Sequence, residues 1–261
     1  MYSTCSWKHG KKKCGNYSSV CDCYNREHSV PQSWFSEKSP MKSDAFHVYP
    51  TDGKVNNQRS NYMFGECSGG TSLSSDALGR VGSSTFTGSS VSGKVFEPDD
   101  EYKGDFARTY FYMATRYASS CASWGNHFSS SNSGLTAYSV ALFLKWHRED
   151  PVSEKELIRN EAIFGNTSYN STGYKQGNRN PFIDYPCLAE YIWGEHKGES
   201  VDFSKLLSAY TEEYSLSTDK SGCECDNDNP TILTPKLGSS VLMGSANLDE
   251  TITTQLYVSG K

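Results

Sequence analysis

The sequence lacks several features that would assign it to common classes of protein. No apolar run approaches the ~20 residues that a membrane-crossing helix needs, and the basic N-terminus has no apolar segment after it of the kind found in signal peptides. If the protein is exported, we therefore expect this chain to have been trimmed. Cys-x-x-Cys pairs and a His-Glu-x-x-His motif are also absent. Their absence argues against a structural zinc site and against a metalloprotease.

Positive charge is scarce as well. The chain has 25 Lys and Arg against 30 Asp and Glu, which gives a net charge of −5. This balance disfavours a protein that coats nucleic acid by charge alone. It does not disfavour a nuclease, because a catalytic groove needs only a local positive strip and a metal ion supplies part of the charge. The one dense basic run, at 11–13, is either a phosphate contact or an ordinary solvated loop.

Cysteine, by contrast, is abundant. The 261 residues include nine cysteines, and 13% of the residues are aromatic. So many cysteines are unusual in a cytosolic enzyme, so we expect disulfides and a secreted or periplasmic location. The count is odd, which leaves at least one thiol free or paired with another chain. The sequence does not determine which cysteines pair.

The side chains best suited to catalysis are concentrated between Cys21 and Glu66. They are Glu27, His28, His47, Asn56, Asn57, Gln58, Arg59 and Asn61. Carboxylate and amide oxygens are hard ligands for Mg²⁺ or Ca²⁺, a neutral imidazole accepts a proton near pH 7, and an arginine holds phosphate with two hydrogen bonds. This combination predicts phosphodiester hydrolysis with one metal, one base and one phosphate clamp.

The same segment predicts a β-β-α unit. A strand at 24–30 leads into a loop, a second strand returns at 45–49, and a turn at 50–53 precedes a helix from about Lys54. On that helix Asn56 and Arg59 share a face, whereas Asn61 would need the helix to end or bend. Neighbouring strand residues point to opposite faces. The first strand must therefore end or twist if Glu27 and His28 act together.

These residues carry a family resemblance. The blocks YNREHSVPQSWF, HVYPTDGKVNNQRSNYMFGE, FEPDDEYKGDFARTYFYMATRY and QGNRNPFIDYPCLAEYIWG resemble, in order, the bacterial endonuclease I family of His-Me finger (ββα-metal) nucleases. The resemblance runs from about residue 1 to 193. It implies an α+β fold in which a mostly helical domain surrounds the ββα-metal core and a small antiparallel sheet.

The resemblance also implies a mechanism. His28 would be the general base, Glu27 and Asn56 the metal ligands, and Arg59 and Arg108 candidate phosphate contacts. The family implies a secreted or periplasmic endonuclease of low sequence specificity. It would cut DNA, with RNA as an alternative, and use Mg²⁺, with Ca²⁺ or Mn²⁺ as alternatives, to leave 5′-phosphate ends. The competing interpretation is a catalytically silent extracellular module that binds nucleic acid or attaches to a surface.

The second histidine of the segment has two interpretations. His47 either orients the metal water or the hairpin, or is a hydrogen-bonded structural residue.

The remainder of the chain is expected to support this unit. A helix is predicted within 96–117, after a Pro-Asp-Asp start signal, with a core-facing stripe formed by Phe106, Tyr110, Met113, Ala114 and Tyr117. A second helix is predicted at 135–147, with Leu142, Phe143 and Trp146 toward the core. A third is predicted at 154–164, opened by a capping box at Ser153 and Glu156. An extended loop with short strands is predicted at 67–95. His127 is expected in a loop that faces solvent. The polar stretch 176–184 either contacts DNA or ties loops to the core.

Two domains are expected. The nuclease domain would span 1–225. Residues 226–261 would form a linker and a β segment with strands at 237–243 and 251–258. This segment resembles part of an immunoglobulin-like module of the kind appended to secreted Bacteroides-type enzymes.

Overall fold

The computed structural model describes residues 1–8, 10–13, 16–87, 91–171, 173–217 and 221–223. The strands predicted at 237–243 and 251–258 lie outside these residues. Helices in the described part of the chain are too short or too polar to cross a membrane. The fold is α+β, with helices packed around two small antiparallel sheets.

The strands and helices have the following bounds. The strands are β1 Tyr24–His28, β2 Val48–Asp52, β3 Arg80–Ser83 and β4 Lys94–Glu97. The α-helices are α1 Gly53–Arg59, α2 Lys103–Arg116, α3 Ala118–Cys121, α4 Ala137–Glu149, α5 Glu154–Phe164, α6 Pro181–Asp184, α7 Leu188–Trp193 and α8 Glu212–Leu216. Short 3₁₀ turns lie at Gln32–Phe35, Met41–Ser43, Ala45–His47, Asp100–Tyr102, Ala122–Trp124, Asn132–Gly134 and Phe203–Lys205.

The first sheet and α1 form the β-β-α unit that the sequence predicts. β1 and β2 run antiparallel, from the pair Tyr24 and Asp52 to the pair His28 and Val48. The predicted turn at 50–53 is wrong, because Pro50 and the two residues after it belong to β2. Proline is tolerated here because, in the part of the chain that the structure describes, the sheet has two strands and each one is an edge. The predicted start of the strand at 45 is also wrong, since 45–47 form a 3₁₀ turn.

α2 is the centre of the core. The predicted stripe is buried throughout: Phe106, Tyr110, Met113, Ala114 and Tyr117. It packs mainly on α4, whose predicted core residues Leu142, Phe143 and Trp146 are buried too. Burial of large apolar and aromatic side chains is the main source of folding free energy, so these two helices form the support for the β-β-α unit.

The helix predicted at 154–164 is confirmed together with its start signal. The Ser153 hydroxyl accepts from the Glu156 backbone N–H, and the Glu156 carboxylate accepts from the Ser153 N–H. The stretch 176–184 ties loops to the core. Asn180 donates to the Arg108 carbonyl, and Gln176 donates to the Asp44 carboxylate.

The described cysteines are mostly oxidised. Disulfides join Cys5 to Cys21 and Cys187 to Cys223, and Cys23 is disulfide-bonded as well. The buried thiols of Cys67 and Cys121 are reduced. This pattern fits the oxidising compartment that the cysteine count predicts.

Candidate active site

The junction of β2 and α1 fixes the geometry of the site. The Asp52 carboxylate accepts from the N–H groups of Lys54 at 2.9 Å and Val55 at 3.2 Å, which caps α1. A Cβ atom at Gly53 would lie 2.8 Å from the Tyr17 ring. Only glycine therefore lets α1 begin this close to the N-terminal segment and lie against β1.

Glu27 lies on the buried side of β1. Its Oε1 accepts a hydrogen bond from the Tyr2 hydroxyl at 3.0 Å and lies 3.2 Å from Nη1 of Arg59. Burial raises the pKa of Glu27 to about 7, against the opposing effects of Arg59 and Tyr2. No hydrogen bond of the described residues ends on Oε2. One carboxylate oxygen is thus held in place and the other remains available as a ligand.

Arg59 is buried with Glu27 and does not face solvent. Its nitrogens donate to the carbonyls of His28 at 3.1 Å and Ser29 at 2.5 Å, and its guanidinium lies over the Phe64 ring. These contacts hold the end of β1. They do not suit the predicted phosphate contact, because a buried guanidinium that is already bonded cannot reach a polymer in solvent.

Asn56 lies one turn before Arg59 on the same face of α1. Its Nδ2 donates to Asn25 Oδ1 at 2.8 Å and to the Arg26 carbonyl at 3.2 Å. The described residues donate no hydrogen bond to its Oδ1. Both side chains contact β1, as the helical spacing predicts, whereas α1 ends at Arg59 and leaves Asn61 beyond it.

His28 is the last residue of β1 and is half-buried. Its Nε2 lies 3.0 Å from the Lys42 carbonyl oxygen. A carbonyl only accepts, so Nε2 carries the proton and Nδ1 carries the lone pair. Burial lowers the pKa of His28 below its ordinary value, and the charges of Arg26 and Lys42 act in the same direction. The ring is therefore neutral at pH 7 and able to accept a proton at Nδ1.

His47 packs beside His28 but is fully buried. The two rings lie 5.4 Å apart, and Nε2 of His47 is 2.7 Å from the Met41 carbonyl oxygen. Burial lowers the pKa of His47 to about 4. The contact fixes the 41–43 turn, whose Lys42 carbonyl holds His28. This placement favours the structural interpretation of His47 over direct contact with substrate.

The sequence reasoning missed two residues of the site. Arg26 is exposed and, two positions before His28, lies on the same face of β1. Strand alternation could have identified it, since it is the arginine closest to His28 in the sequence. Tyr2 contacts Glu27 across 25 positions of the chain, and no sequence signal predicts such a distant contact.

Arg108 lies elsewhere in the protein, in surroundings that do not suit the predicted phosphate contact. Its guanidinium is fully buried between α2 and α5, where Nε and Nη2 each donate to the Glu156 carboxylate at 2.7 Å. Nη1 donates to the Asp150 carbonyl at 2.8 Å. The arginine stabilises the helical core, because its three nitrogens are all bonded to groups of that core.

The predicted exposure of His127 is wrong. The ring is fully buried; its Nε2 accepts from the Phe64 N–H at 3.0 Å and its Nδ1 lies 2.8 Å from the Ser139 hydroxyl. The serine-rich sequence around it predicted a solvated loop. The two hydrogen bonds explain how a polar ring is accommodated in the core.

The donor set at the β1–α1 junction suits a divalent metal ion. Glu27 and Asn56 each use one polar atom to bind the protein and keep one oxygen, Oε2 and Oδ1, without a hydrogen-bond donor among the described residues. Both are hard oxygen ligands of the type that Mg²⁺ and Ca²⁺ bind. A bound cation would also offset the cost of ionising the buried carboxyl group of Glu27.

The family model for endonuclease I matches residues 1–187. The chain belongs to the endonuclease I family. The matched region contains all of the site residues described above, from Tyr2 to Asn56 and Arg59. The family resemblance of the sequence blocks is thereby confirmed.

Several similar proteins are nucleases by name, and two of the three described next are named extracellular. An extracellular ribonuclease of Bacillus amyloliquefaciens is 34% identical over 193 residues, which cover 70% of this chain and 58% of the relative. An extracellular deoxyribonuclease of Aeromonas hydrophila is 28% identical over 151 residues, 58% of this chain and 53% of the relative. Endonuclease-1 of Buchnera aphidicola (subsp. Baizongia pistaciae) is 28% identical over 147 residues, which cover 56% of this chain and 48% of the relative. The chain thus spans about half the length of these relatives.

Proposed function

We propose that this chain is a metal-dependent endonuclease that hydrolyses phosphodiester bonds without sequence specificity. Its substrate is DNA, with RNA as an alternative, and its products carry 5′-phosphates. The observation that carries the proposal is the state of His28. The Lys42 carbonyl binds its Nε2 at 3.0 Å, which leaves the lone pair of Nδ1 to accept a proton from water.

The chain's residues divide the work between base and scaffold. His28 takes a proton from the water that attacks phosphorus, and the 3′-oxygen leaves. Arg59 and Tyr2 hold Glu27 through Oε1, while the bonds from Arg59 to the carbonyls of His28 and Ser29 fix the end of the strand. In a regular strand, neighbouring residues such as Glu27 and His28 point to opposite faces. These bonds fix both residues at the end of β1.

Glu27 and Asn56 would hold the metal ion, with Mg²⁺ as the first choice and Ca²⁺ or Mn²⁺ as alternatives. Bound there, a divalent ion stabilises the charge that develops on phosphate oxygens and on the leaving oxygen. Arg26 takes the place of the phosphate contact that was predicted for Arg59 and Arg108. Its exposed guanidinium is on the same face of β1 as His28 and can bind phosphate from solvent.

The location that accompanies this function is secreted or periplasmic. The disulfides of the described residues and the names of the relatives support it.

A plasmid-degradation assay with and without EDTA tests the proposal. Cleavage that stops in EDTA and returns with Mg²⁺ is expected, with fragments whose 5′ ends a phosphatase converts into kinase substrates. An intact plasmid under all conditions would instead support the silent binding module. Fragments that a kinase labels without phosphatase treatment would contradict the proposed 5′-phosphate ends.

A further inference from the structure

A surface groove beside the 41–43 turn has the size of a small-ligand site. Its volume is about 620 Å³, within the ~300–1,000 Å³ typical of ligand pockets. Residues of three regions line it, namely the turn with Ser43 and Ala45, helix α5 with Arg159, and the loop after α5 with Tyr169, Tyr174 and Lys175.

The groove begins next to the proposed base. Ser43 follows Lys42, whose carbonyl oxygen lies 3.0 Å from Nε2 of His28, and neighbouring Cα atoms are only ~3.8 Å apart. A polymer whose phosphate lies at His28 would therefore pass close to the groove with its flanking nucleotides.

The groove is positively charged in a chain of net charge −5. Arg159 and Lys175 line it, and none of the lining residues is acidic. The nitrogens of Arg159 bond to the neutral carbonyls of Ala45, Phe46 and Val48, so its charge is not cancelled. A local positive patch of this kind attracts a polyanion.

Two acidic residues adjoin this lining in the sequence. Glu161 is buried and paired with Arg179, and the carboxylate of Asp44 points into the protein. Oδ2 accepts from the hydroxyls of Tyr112 at 2.8 Å and Tyr117 at 2.7 Å. The residue is buried. It therefore leaves the positive face of the groove unopposed.

Two exposed aromatic rings lie on the same groove. Tyr174 is 87% exposed and Tyr169 is 46% exposed. The backbone around Tyr174 is anchored on both sides, because Asn170 donates to the carbonyls of Ala162 and Tyr174, and the Gln176 N–H donates to the Ile163 carbonyl at 2.9 Å. The chain thus presents a large ring to solvent from a fixed backbone.

We propose that this groove binds unpaired bases of the substrate strand, which stack on Tyr174 and Tyr169 while Lys175 contacts the adjacent phosphate. The proposal rests on the proposed nuclease function. Aromatic rings and cations along a groove are the usual elements of single-strand recognition. Bases inside a duplex already stack on one another, so only unpaired nucleotides can use this site.

Binding measured without cleavage tests the groove independently of the reaction. In EDTA, the anisotropy of a fluorescein-labelled oligothymidylate reports affinity at fixed salt. Tyr174→Ala should weaken binding about tenfold, within the range of base–aromatic stacking. Tyr174→Phe keeps the ring and should stay within about twofold of the wild type. Leu216→Ala, which removes another exposed apolar side chain, should change nothing.

A labelled blunt duplex gives the comparison that decides the substrate class. Tyr174→Ala should leave the affinity for the duplex unchanged. Lys175→Ala should reduce the magnitude of the salt slope for the single strand by about 0.7. The control Lys197→Ala should leave that slope unchanged. Unchanged oligothymidylate binding by Tyr174→Ala, or an equal loss for duplex and single strand, would overturn the proposal. Plasmid cleavage by these variants with Mg²⁺ tests the nuclease function separately, because the binding result does not depend on it.

Discussion

Arg59 and Arg108 each lie at the centre of a buried cluster, and these two clusters of the described residues differ in one instructive respect. Around Arg108 the guanidinium is bonded on all three nitrogens to the Glu156 carboxylate and to core groups of 147–151. Around Arg59 some polar atoms have no hydrogen-bond partner among the described residues. They are Oε2 of Glu27 and, on the same β-β-α unit, Oδ1 of Asn56 and Nδ1 of His28. Buried charge alone is therefore not a mark of function. Polar atoms that the fold orients and leaves available are the better indicator.

The largest effect is expected when the proposed base, His28, is removed from the β-β-α unit beside Arg59. His28→Ala should lower the rate of plasmid cleavage by ~10²–10⁴-fold, because the variant lacks the group proposed to accept the proton of the attacking water. Substrate affinity should barely change, and added Mg²⁺ should not restore the rate. Plasmid nicking across a Mg²⁺ titration measures the effect. His196→Ala, at a half-buried position outside the site, is the control. Near-normal cleavage by His28→Ala would move the search for a base to His47.

A change in the cluster around Arg108 should lower the stability of the protein and leave catalysis unchanged. Arg108→Met leaves the Glu156 carboxylate buried without its partner, which typically costs about 3–5 kcal/mol of unfolding free energy. Urea unfolding at pH 7.5 measures this loss. The double variant Arg108→Met with Glu156→Leu should recover part of it. The folded fraction of Arg108→Met should keep the wild-type KM for DNA. A raised KM together with wild-type stability would instead indicate that Arg108 contacts phosphate.

A smaller effect is expected from His127 when the pH changes. Burial and the charge of Arg59 lower the pKa of His127 well below its ordinary value, so the unfolded chain binds a proton below pH 6.5 that the folded protein does not. The stability contributed by the neutral ring is present above pH 6.5 and decreases as the pH falls. Between pH 7.5 and 5 the loss is about 2 kcal/mol.

His127→Gln isolates this contribution. Glutamine can accept from the Phe64 N–H and donate to Ser139 without titrating, so its unfolding free energy should depend less on pH by that amount. Urea unfolding at both pH values, with the more exposed His196→Gln as control, provides the measurement. Equal pH dependence in wild type and His127→Gln would show that the buried ring is not the titrating group.

The smallest effect is expected at Arg26. Arg26→Ala removes the side chain proposed to contact phosphate, so it should raise KM and reduce the magnitude of the salt slope by about 0.9 for duplex DNA. Cleavage at saturating substrate should change little. Kinetics at several salt concentrations provide the test, with Lys54→Ala on α1 as the neighbouring control. An unchanged salt slope would remove Arg26 from the phosphate-binding surface.

Local patterns in the sequence predicted the local structure well. The Ser153 and Glu156 capping box opens α5 at the predicted residue, and the stripe from Phe106 to Tyr117 is buried as the helical period requires. Both signals arise from neighbouring residues in the chain. The start of β2 was predicted too early because the apolar residues 45–49 fit a strand pattern, while the Asp44 carboxylate caps a 3₁₀ turn there.

Contacts between distant segments were beyond the reach of the sequence. Arg59 occurs in a polar helical stretch, and Arg108 lies off the apolar stripe of α2. Their burial depends on partners 32 and 48 residues away, namely Glu27 and Glu156. The residue types of the site were predictable, since Glu27, His28 and Asn56 are chemically suited to it. Which of their atoms remain available depends on Tyr2, Arg59, Asn25 and Lys42, and only the structure gives those contacts.

Binding of Mn²⁺ tests the central claim most directly, because it measures the available oxygens without any cleavage. Electron paramagnetic resonance of free Mn²⁺ during a titration gives the affinity of the protein. Wild type and Asn57→Ala, which alters the exposed neighbour of Asn56 on α1, should bind one ion equally well. Glu27→Gln and Asn56→Ala should bind it at least ~10–100-fold more weakly, the loss typical when even an outer partner of a metal ligand is removed. Wild-type affinity in both Glu27→Gln and Asn56→Ala would contradict the assignment of the site.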